Sequence, residues 1–527
     1  MKVKKWSRDS YEIVLTIVSF VYYWIMALYK LTTAPIWQDE AMEFFCSLPV
    51  RGEIRGVTKF ATMYERMVCI QQQPPLYNWV MSLWLRISED EWWYRFSSAA
   101  MGFVAAIGIY YVIRKLCNRS MAAFCVIIYS SIYTIMYYIK EASEYSMLIM
   151  FLIWLIYAYI LLYEEVTLKR VVAFTLLCVA SIYTHYGAAF AVLPMAVNIL
   201  IVVLKTHDFV KIRNSIIVFA TAVIVGGGPL FYFFLLPQFT SHESELMSKP
   251  DIIIEKGSIF GDFLNSLMCV FRWFAIDFDR DWEKLWLLIC VAMVVLAAMI
   301  IYVTVKSDQK CIRGFLYSNI AIYLIYYTIT KLNIYAYGWY GNRYNMFLFP
   351  FWFVIVAFTL FEFVHILKNS KKEIVAKGAK FLQIAFIAAG ILYCVYGDYR
   401  ISNHWDKMDL RTVVSEWYAD DGYEIPTVLD FHQRYGFVYY FTHHDKYDES
   451  QWENIVYNDE VDTGNKGDDT PEIWKDYLHH VYGENLPDEL YLVTGQWNAF
   501  VDAFVELGYE VEPVVDTTAK LYKMTKK

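Results

Sequence analysis

The sequence has little of what usually announces soluble chemistry. Its nine cysteines form no C-x-x-C pair and none follows Cys394, which excludes a cysteine metal signature. Charged residues make up only 19% of the 527, the net charge is −8, and no basic face is clustered as a phosphate backbone would require. Both observations argue against a nucleic-acid partner, and none is expected. There is no low-complexity segment and no convincing internal repeat. The first apolar block contains one acid, Glu12, and is too long, too aromatic and too poor in small residues at its end to be a cleaved signal peptide.

What the chain has in quantity is apolar surface. It is 58% hydrophobic and 19% aromatic, with a mean hydropathy of +0.33, more apolar than an average soluble domain. The apolar residues come in blocks of membrane-spanning length, not at amphipathic spacing. Candidate spans are 11–31, 92–113, 119–138, 145–163, 166–184, 186–204, 215–236, 284–305, 313–330, 344–367 and 380–397, about eleven in all. The segment 74–87, "PPLYNWVMSLWLRI", is shorter than the roughly twenty residues a crossing needs, and reads as a helix lying in or dipping into the interface. "GGGP" at 226–229 reads as a kink within a span.

Charge fixes the topology. With 74–87 not crossing and the N-terminus cytoplasmic, the inner loops carry Arg114, Lys115 and Arg119; Lys169 and Arg170; Lys205, Lys211 and Arg213; Lys306, Lys310 and Arg313; and Lys368 to Lys380. The short outer loops keep only Lys140, Lys331 and Arg343. That is a strong positive-inside asymmetry, and a crossing at 74–87 would invert it. The expected organisation is a membrane domain over 1–398, with large external loops at 32–91 and 237–283, and an extracytoplasmic α/β domain over 399–527. In that domain "TVLDF", "ELYLVT" and "KLYKM" read as strands and "WNAFVDAFVELGY" as an amphipathic helix closed by Gly508. Cys46 and Cys69 share the first external loop, which leaves a disulfide between them open, whereas most other cysteines lie in apolar blocks as small packed hydrophobes.

Several external motifs stand in a fixed order: "WQDE" after the first span, "QPPLYNW" some thirty residues on, "EWWYRFSSAA" opening the next span, "KEASEYSML" in a later outer turn, "THYG" ending a middle span, and "RYNMFLFPFW" opening a late one. Their order and topology resemble the GT-C class of integral-membrane glycosyltransferases, especially the bacterial aminoarabinose transferase and protein O-mannosyltransferase group. The resemblance runs over nearly the whole chain. It implies an inverting transfer of one sugar from a polyprenyl-phosphate-linked donor to an acceptor hydroxyl of a glycan, protein or lipid, on the outer face of the cell membrane. One position departs: the residue before the two prolines, often His or Lys in that group, is Gln73.

Each candidate residue carries two readings. Asp39, with Glu40 beside it, is either the base that takes the acceptor's proton, Glu40 orienting it or staying solvated, or a pair of acids favoured by a helix N-terminus. Arg343, with Tyr344, either grips the donor phosphate in two hydrogen bonds or snorkels at a helix end. Lys140 has the same two readings. Glu141 and Glu144 either position the acceptor, with Asp39 and Glu141 able to share a divalent cation through oxygen ligands, or line a solvated turn. His185 binds sugar or acceptor, or is a satisfied interfacial histidine. Tyr77 and Trp79 line a donor cleft or are interfacial aromatics. Arg95 reaches the acids or caps the bilayer edge, and Glu362 pairs with His365 or Lys368 in a structural role. Two other classes remain in view: a transporter or flippase, which would favour ionisable groups near the bilayer midplane and broken helices, and an external sensor on a membrane anchor.

Overall fold

The computed structural model describes all residues except 1–7, 72, 241–277, 333–342, 404–406, 458–469, 484 and 496–497. Most of the 237–283 loop, with "SHESELMSKPD" and the first seven residues of "FRWFAIDFDRDW", lies outside the described residues, as do Lys2, Lys4 and Lys5; the last five residues of the second stretch open the helix Phe278–Lys306. The chain divides into two compact units: one made of 1–31, 67–80 and 93–403, the other of 32–66, 81–92 and 404–527.

The first unit is helical. Helices stand in every one of the eleven stretches where the sequence predicts a span. The count is smaller by length and hydropathy: among the described residues six helices are long and apolar enough to cross a membrane unaided, Asp9–Leu28, Glu91–Leu116, Tyr145–Glu164, Phe209–Thr240, Met346–Lys368 and Glu373–Asn403. A seventh is a broken span, Arg119–Ser131 and Tyr133–Ile139, bent by 73°. Ala188–Leu204 is apolar but shorter. The segment 74–87 forms Leu76–Trp84, nine residues and so about 13 Å of helix, too short to cross.

Close approach and sparse polar bonds hold the bundle, as expected where lipid removes any hydrophobic drive between helices. A Cβ at Gly397 would run into the Ser131 carbonyl, and one at Gly314 into Tyr163, so these helices meet only through glycine. Asn198 is a polar hub: Tyr159 and Tyr163 donate to its Oδ1 at 3.0 and 2.5 Å, and its Nδ2 donates to the Gly314 carbonyl at 3.3 Å. "GGGP" is a π-helical turn, Ala222–Gly227, leading into Gly228–Leu230. The widened turn frees the Gly226 carbonyl, which accepts from Tyr183 at 2.6 Å.

The second unit is an α/β fold on a five-stranded sheet, ordered β2-β1-β3-β5-β4. Its strands are β1 (Thr427–Leu429), β2 (Ile455–Tyr457), β3 (Glu489–Thr494), β4 (Tyr509–Asp516) and β5 (Lys520–Lys526). β1 pairs parallel with β2 and β3; β5 runs antiparallel to β3 and β4. The three predicted strands and the helix, Asn498–Glu506, are present, with Gly508 at φ +88° after it. Pro471–Tyr482 and Asn498–Glu506 bury Trp474, Leu478, Phe500 and Phe504 against Val428, Leu490, Leu492 and Met524 of the sheet. Trp417 of helix Leu410–Ala419 packs against Phe437 and Phe441 of helix Phe431–Thr442. Gln38–Ser47 packs onto that helix in turn, through Phe44 against Tyr439 at 5.0 Å. The stretch that follows the first apolar helix is thus folded together with the C-terminal strands. Cys46 and Cys69 are both free thiols, and Cys46 is buried, its Sγ donating to the Arg66 carbonyl.

Candidate active site

In the first unit the polar groups gather on the turn 140–144, between Tyr133–Ile139 and Tyr145–Glu164. All five residues of this turn are buried, so it is not a solvated loop. Its backbone is held from both sides: Tyr94 donates to the Ala142 carbonyl at 3.3 Å and Ser98 to the Ser143 carbonyl at 3.4 Å. Lys140 donates to the Tyr29 carbonyl at 2.6 Å, just past the first helix, and burial pulls its ammonium down to about 7, Lys30 adding repulsion. Arg95 is likewise buried and donates to the Leu31 carbonyl at 3.1 Å. Both cations therefore fasten the exit of the first helix.

Glu144 is different. It occupies the N-cap of Tyr145–Glu164 yet makes no capping bond, is 1% exposed, and its Oε1 has no hydrogen-bond partner among the described residues. Burial pushes its carboxyl up to about 7; Arg343 opposes that shift and Glu141 adds to it. The neighbouring Ser143 Oγ and, on the late span's entry, Asn345 Oδ1 are also buried without partners. Native structures leave few such groups, and a cluster of them is a surface waiting for hydrogen bonds. Arg343 donates to the Tyr344 hydroxyl at 3.0 Å and lies over that ring.

The site extends along a chain of contacts. Tyr145 meets His185 at 6.0 Å between ring centres. His185 Nδ1 accepts from Gly187 N–H at 3.1 Å, and burial pulls the ring down to about 4, so it is neutral with its proton on Nε2. Tyr186 donates to Gln238 Oε1 at 2.7 Å, and Gln238 Nε2 donates to the Met67 and Gln73 carbonyls at 3.3 and 3.0 Å. The first of those carbonyls opens a π-helical turn, Met67–Gln71, whose Gln71 is buried with neither amide atom hydrogen-bonded among the described residues. Tyr77 is buried in the next helix; Trp79 is exposed and packs on Tyr183 and Phe234. Ser143, Asn345, Gln71 and Gln238 are uncharged and give no sequence signal; only the tertiary accounting of their polar atoms brings them out.

In the second unit, Asp39 lies half-buried in the first turn of Gln38–Ser47. Glu40 is not solvated: it is fully buried and ion-paired with buried Lys407 at 3.1 Å. Gln38 Oε1 lies 3.2 Å from His432 Nδ1, and the Ile36 N–H donates to the Tyr440 hydroxyl at 2.6 Å. Arg411 forks onto both oxygens of Glu91 at 2.7 and 2.8 Å and reaches the Thr32 carbonyl at 2.9 Å. Glu362 is ion-paired with His365 at 3.6 Å. Among the described residues no group of three or more His, Cys, Asp or Glu side chains is gathered for a metal ion.

A bundle of apolar helices followed by a small C-terminal sheet domain is an architecture that this chain shares with solved structures of two other proteins. ArnT from Cupriavidus metallidurans, crystallised bound to undecaprenyl phosphate, aligns with a TM-score of 0.53 at 12% identity, over 98% of each chain. The archaeal oligosaccharyltransferase AglB from Archaeoglobus fulgidus, in complex with an inhibitory peptide and a dolichol-phosphate, aligns at 0.51 and 11% identity, over 99% of this chain and 75% of that one. At such identities what is shared is the fold. Residues 72–226 also match the sequence model of the dolichyl-phosphate-mannose-protein mannosyltransferase family, a stretch that holds "PPLYNW", "EWWYRF", "KEASEY" and "THYG". No curated protein sequence matches the chain significantly.

Proposed function

We propose that this protein is a membrane glycosyltransferase that moves one sugar from a polyprenyl-phosphate-linked donor to an acceptor hydroxyl, with inversion, on the outer face of the cell membrane. The observation that carries the reading is the buried turn 140–144, with hydrogen-bonding atoms left open at Ser143, Glu144 and Asn345 beside Arg343. A fold shared with an enzyme crystallised on undecaprenyl phosphate supports it. The N-terminus is cytoplasmic and residues 399–527 lie outside.

The chemistry asks little of the leaving group, because a polyprenyl phosphate departs readily. The acceptor hydroxyl is the poor partner, and a base that takes its proton as the bond forms contributes about 10²–10⁴-fold. Asp39 is that base, half-buried at the start of its helix, and the Glu40–Lys407 pair fixes the helix beneath it. Arg343 and Tyr344 hold the donor phosphate, Arg343 by two parallel donors. Glu141, Glu144 and His185 take the sugar or acceptor. Gln73 offers no cation, so Arg343 carries that duty.

Asp39→Asn lowers turnover by about 10²–10⁴ while expression and thermal unfolding stay as in the parent; near-normal turnover removes Asp39 from the role. Arg343→Ala weakens donor use far more than acceptor use, and the reverse pattern reassigns it. Cells lacking the protein accumulate one polyprenyl phosphosugar. The π-broken helix Phe209–Thr240 is the feature that favours a flippase instead; loss of lipid-linked sugar from the outer leaflet of cells lacking the protein, together with no sugar transfer by the purified protein, would establish that reading.

A further inference from the structure

The sheet of the second unit has a reversal in its strand order. From β1 the chain moves to β2 on one side, then crosses to β3 on the other, all three parallel. In open α/β sheets the carboxyl ends of the strands at such a reversal frame a crevice, because the flanking connections leave in opposite directions. Here β1 ends at Leu429 and β3 at Thr494, and the groups just beyond them are unusual. Asp430 is fully buried; its N–H donates to the Val493 carbonyl at 3.0 Å, its carboxylate accepts from Thr494 Oγ1 at 3.1 Å and from the His432 N–H at 3.3 Å. Gln433, one turn into helix Phe431–Thr442, is 0% exposed, and both its amide oxygen and its amide nitrogen lack a hydrogen bond among the described residues. Its side chain points at the loop after β3: a Cβ at Gly495 would run into the Gln433 amide. Glycine at 495 therefore makes room for that amide. Burying an amide without partners costs on the order of 1–3 kcal/mol, which a chain with no use for it sheds by substituting an apolar residue.

We infer that Asp430, Gln433 and Thr494 form a second ligand site, in the C-terminal α/β unit, that takes a neutral, hydroxyl-rich group of the sugar class. The chemistry of the donors and acceptors selects that class. A helix N-terminus over a strand end ordinarily favours an anion, but here Asp430 already occupies it as the N-cap and would repel phosphate. The open positions are the two N–H donors and the oxygen of the Gln433 amide, and the lone pairs of Asp430 that its bonds to Thr494, His432 N–H and Gly495 N–H leave over. Adjacent sugar hydroxyls, each both donor and acceptor, satisfy that set; a purely anionic or purely apolar ligand does not. The residue before Gln433 in the helix, His432, is half-buried and lies 3.2 Å from the half-buried Gln38. The site stands whether or not the membrane unit transfers sugar.

The test uses the full-length protein in detergent, without lipid donor, titrated with neutral methyl glycosides and, separately, with inorganic phosphate, and followed by saturation-transfer NMR and thermal unfolding. The expected result is binding of at least one neutral glycoside and none of phosphate. Gln433→Leu should weaken that binding tenfold or more while the melting temperature holds or rises, because a buried unpaired amide has been removed. Asp430→Asn, which keeps the shape and two hydrogen bonds, should weaken it also. Wild-type protein that binds no glycoside, binding that survives Gln433→Leu unchanged, or a preference for phosphate would each overturn the inference, and none of these results bears on transfer by the membrane unit.

Discussion

At the scale of single residues, the informative groups are polar atoms that burial has left without partners. Glu144 is the clearest case. Its carboxyl is held near pKa 7 by desolvation against a reference near 4.5, with Arg343 pulling the other way. An acid whose folded pKa is raised weakens the fold as pH climbs: the cost is absent below about 4.5, grows between the two values, and is complete above 7, where it amounts to roughly 3 kcal/mol. Glu144→Gln removes the titration. The expected outcome is a melting temperature that matches the parent at pH 5 and exceeds it at pH 8, with sugar transfer reduced at both; thermal unfolding across that range checks it, and a parallel pH dependence in the two proteins would exclude a desolvated Glu144. The acid is visible in the sequence; its state is not. "KEASEY" reads equally well as a solvated turn, and only the walls supplied by Tyr94, Ser98 and His185, far away in the chain, show that it is buried.

At the scale of elements, the helix Gln38–Ser47 shows how a catalytic candidate is held. Of its last eight residues only Met42 is not buried, a degree of covering that its own sequence does not explain. Its partners, and that of Ile36 just before it, come from residues some 370 to 400 positions later: Lys407 to Glu40, His432 to Gln38, Tyr440 to Ile36, Tyr439 to Phe44. The loop after it is tied down too, since a Cβ at Gly56, at φ +73°, would meet the Trp452 ring, over which Arg55 lies at 5.5 Å. A buried ion pair is costly to break and cheap to replace as a whole: losing one partner strands a charge, at about 3–5 kcal/mol, whereas exchanging both for neutral groups is often close to neutral. Lys407→Met alone should therefore lower stability by that amount, and Glu40→Gln with Lys407→Met should restore most of it, as read by chemical unfolding. Failure of the second change to rescue the first would mean that the pair does not act as a unit. In the membrane unit the corresponding device is glycine. Gly397→Val places branched carbon against the Ser131 carbonyl, and should separate Glu373–Asn403 from Arg119–Ser131, lowering the yield of folded protein in detergent; normal yield and melting temperature would show that the approach is looser than it looks.

At the scale of the whole molecule, what the sequence made legible was whatever repeats with a period or a length: apolar blocks, the short 74–87 segment, the alternating strands at 489–494 and 520–526, the helix stop at Gly508. Helices stand at every predicted span, yet Ala188–Leu204 is too short to count as a span by itself, and the 119–139 stretch is bent by 73° at Ile132, neither of which hydropathy can foresee. Least legible was membership. Residues 32–66 look like an ordinary loop of the membrane part, and their folding with the C-terminal residues is a long-range association that local pattern does not encode; β2 and β4 lack strong alternation, although β4 closes only a short hairpin with β5. This has a consequence for shortened forms. A chain ended at Asn403 keeps its apolar helices but loses Lys407, Arg411, His432, Tyr440 and Trp452, and with them the partners of Glu40, Glu91, Gln38, Ile36 and Gly56. The apolar face of Gln38–Ser47, with Phe44 and Phe45 both buried in the full chain, then has nothing to cover it. Such a chain should insert into the membrane, transfer no sugar, and be cut within 32–66 by a protease that leaves this stretch of the full-length protein intact. Protection of 32–66 in the shortened chain would mean that the C-terminal strands are not what folds it, and the role assigned here to Lys407 would go with that result.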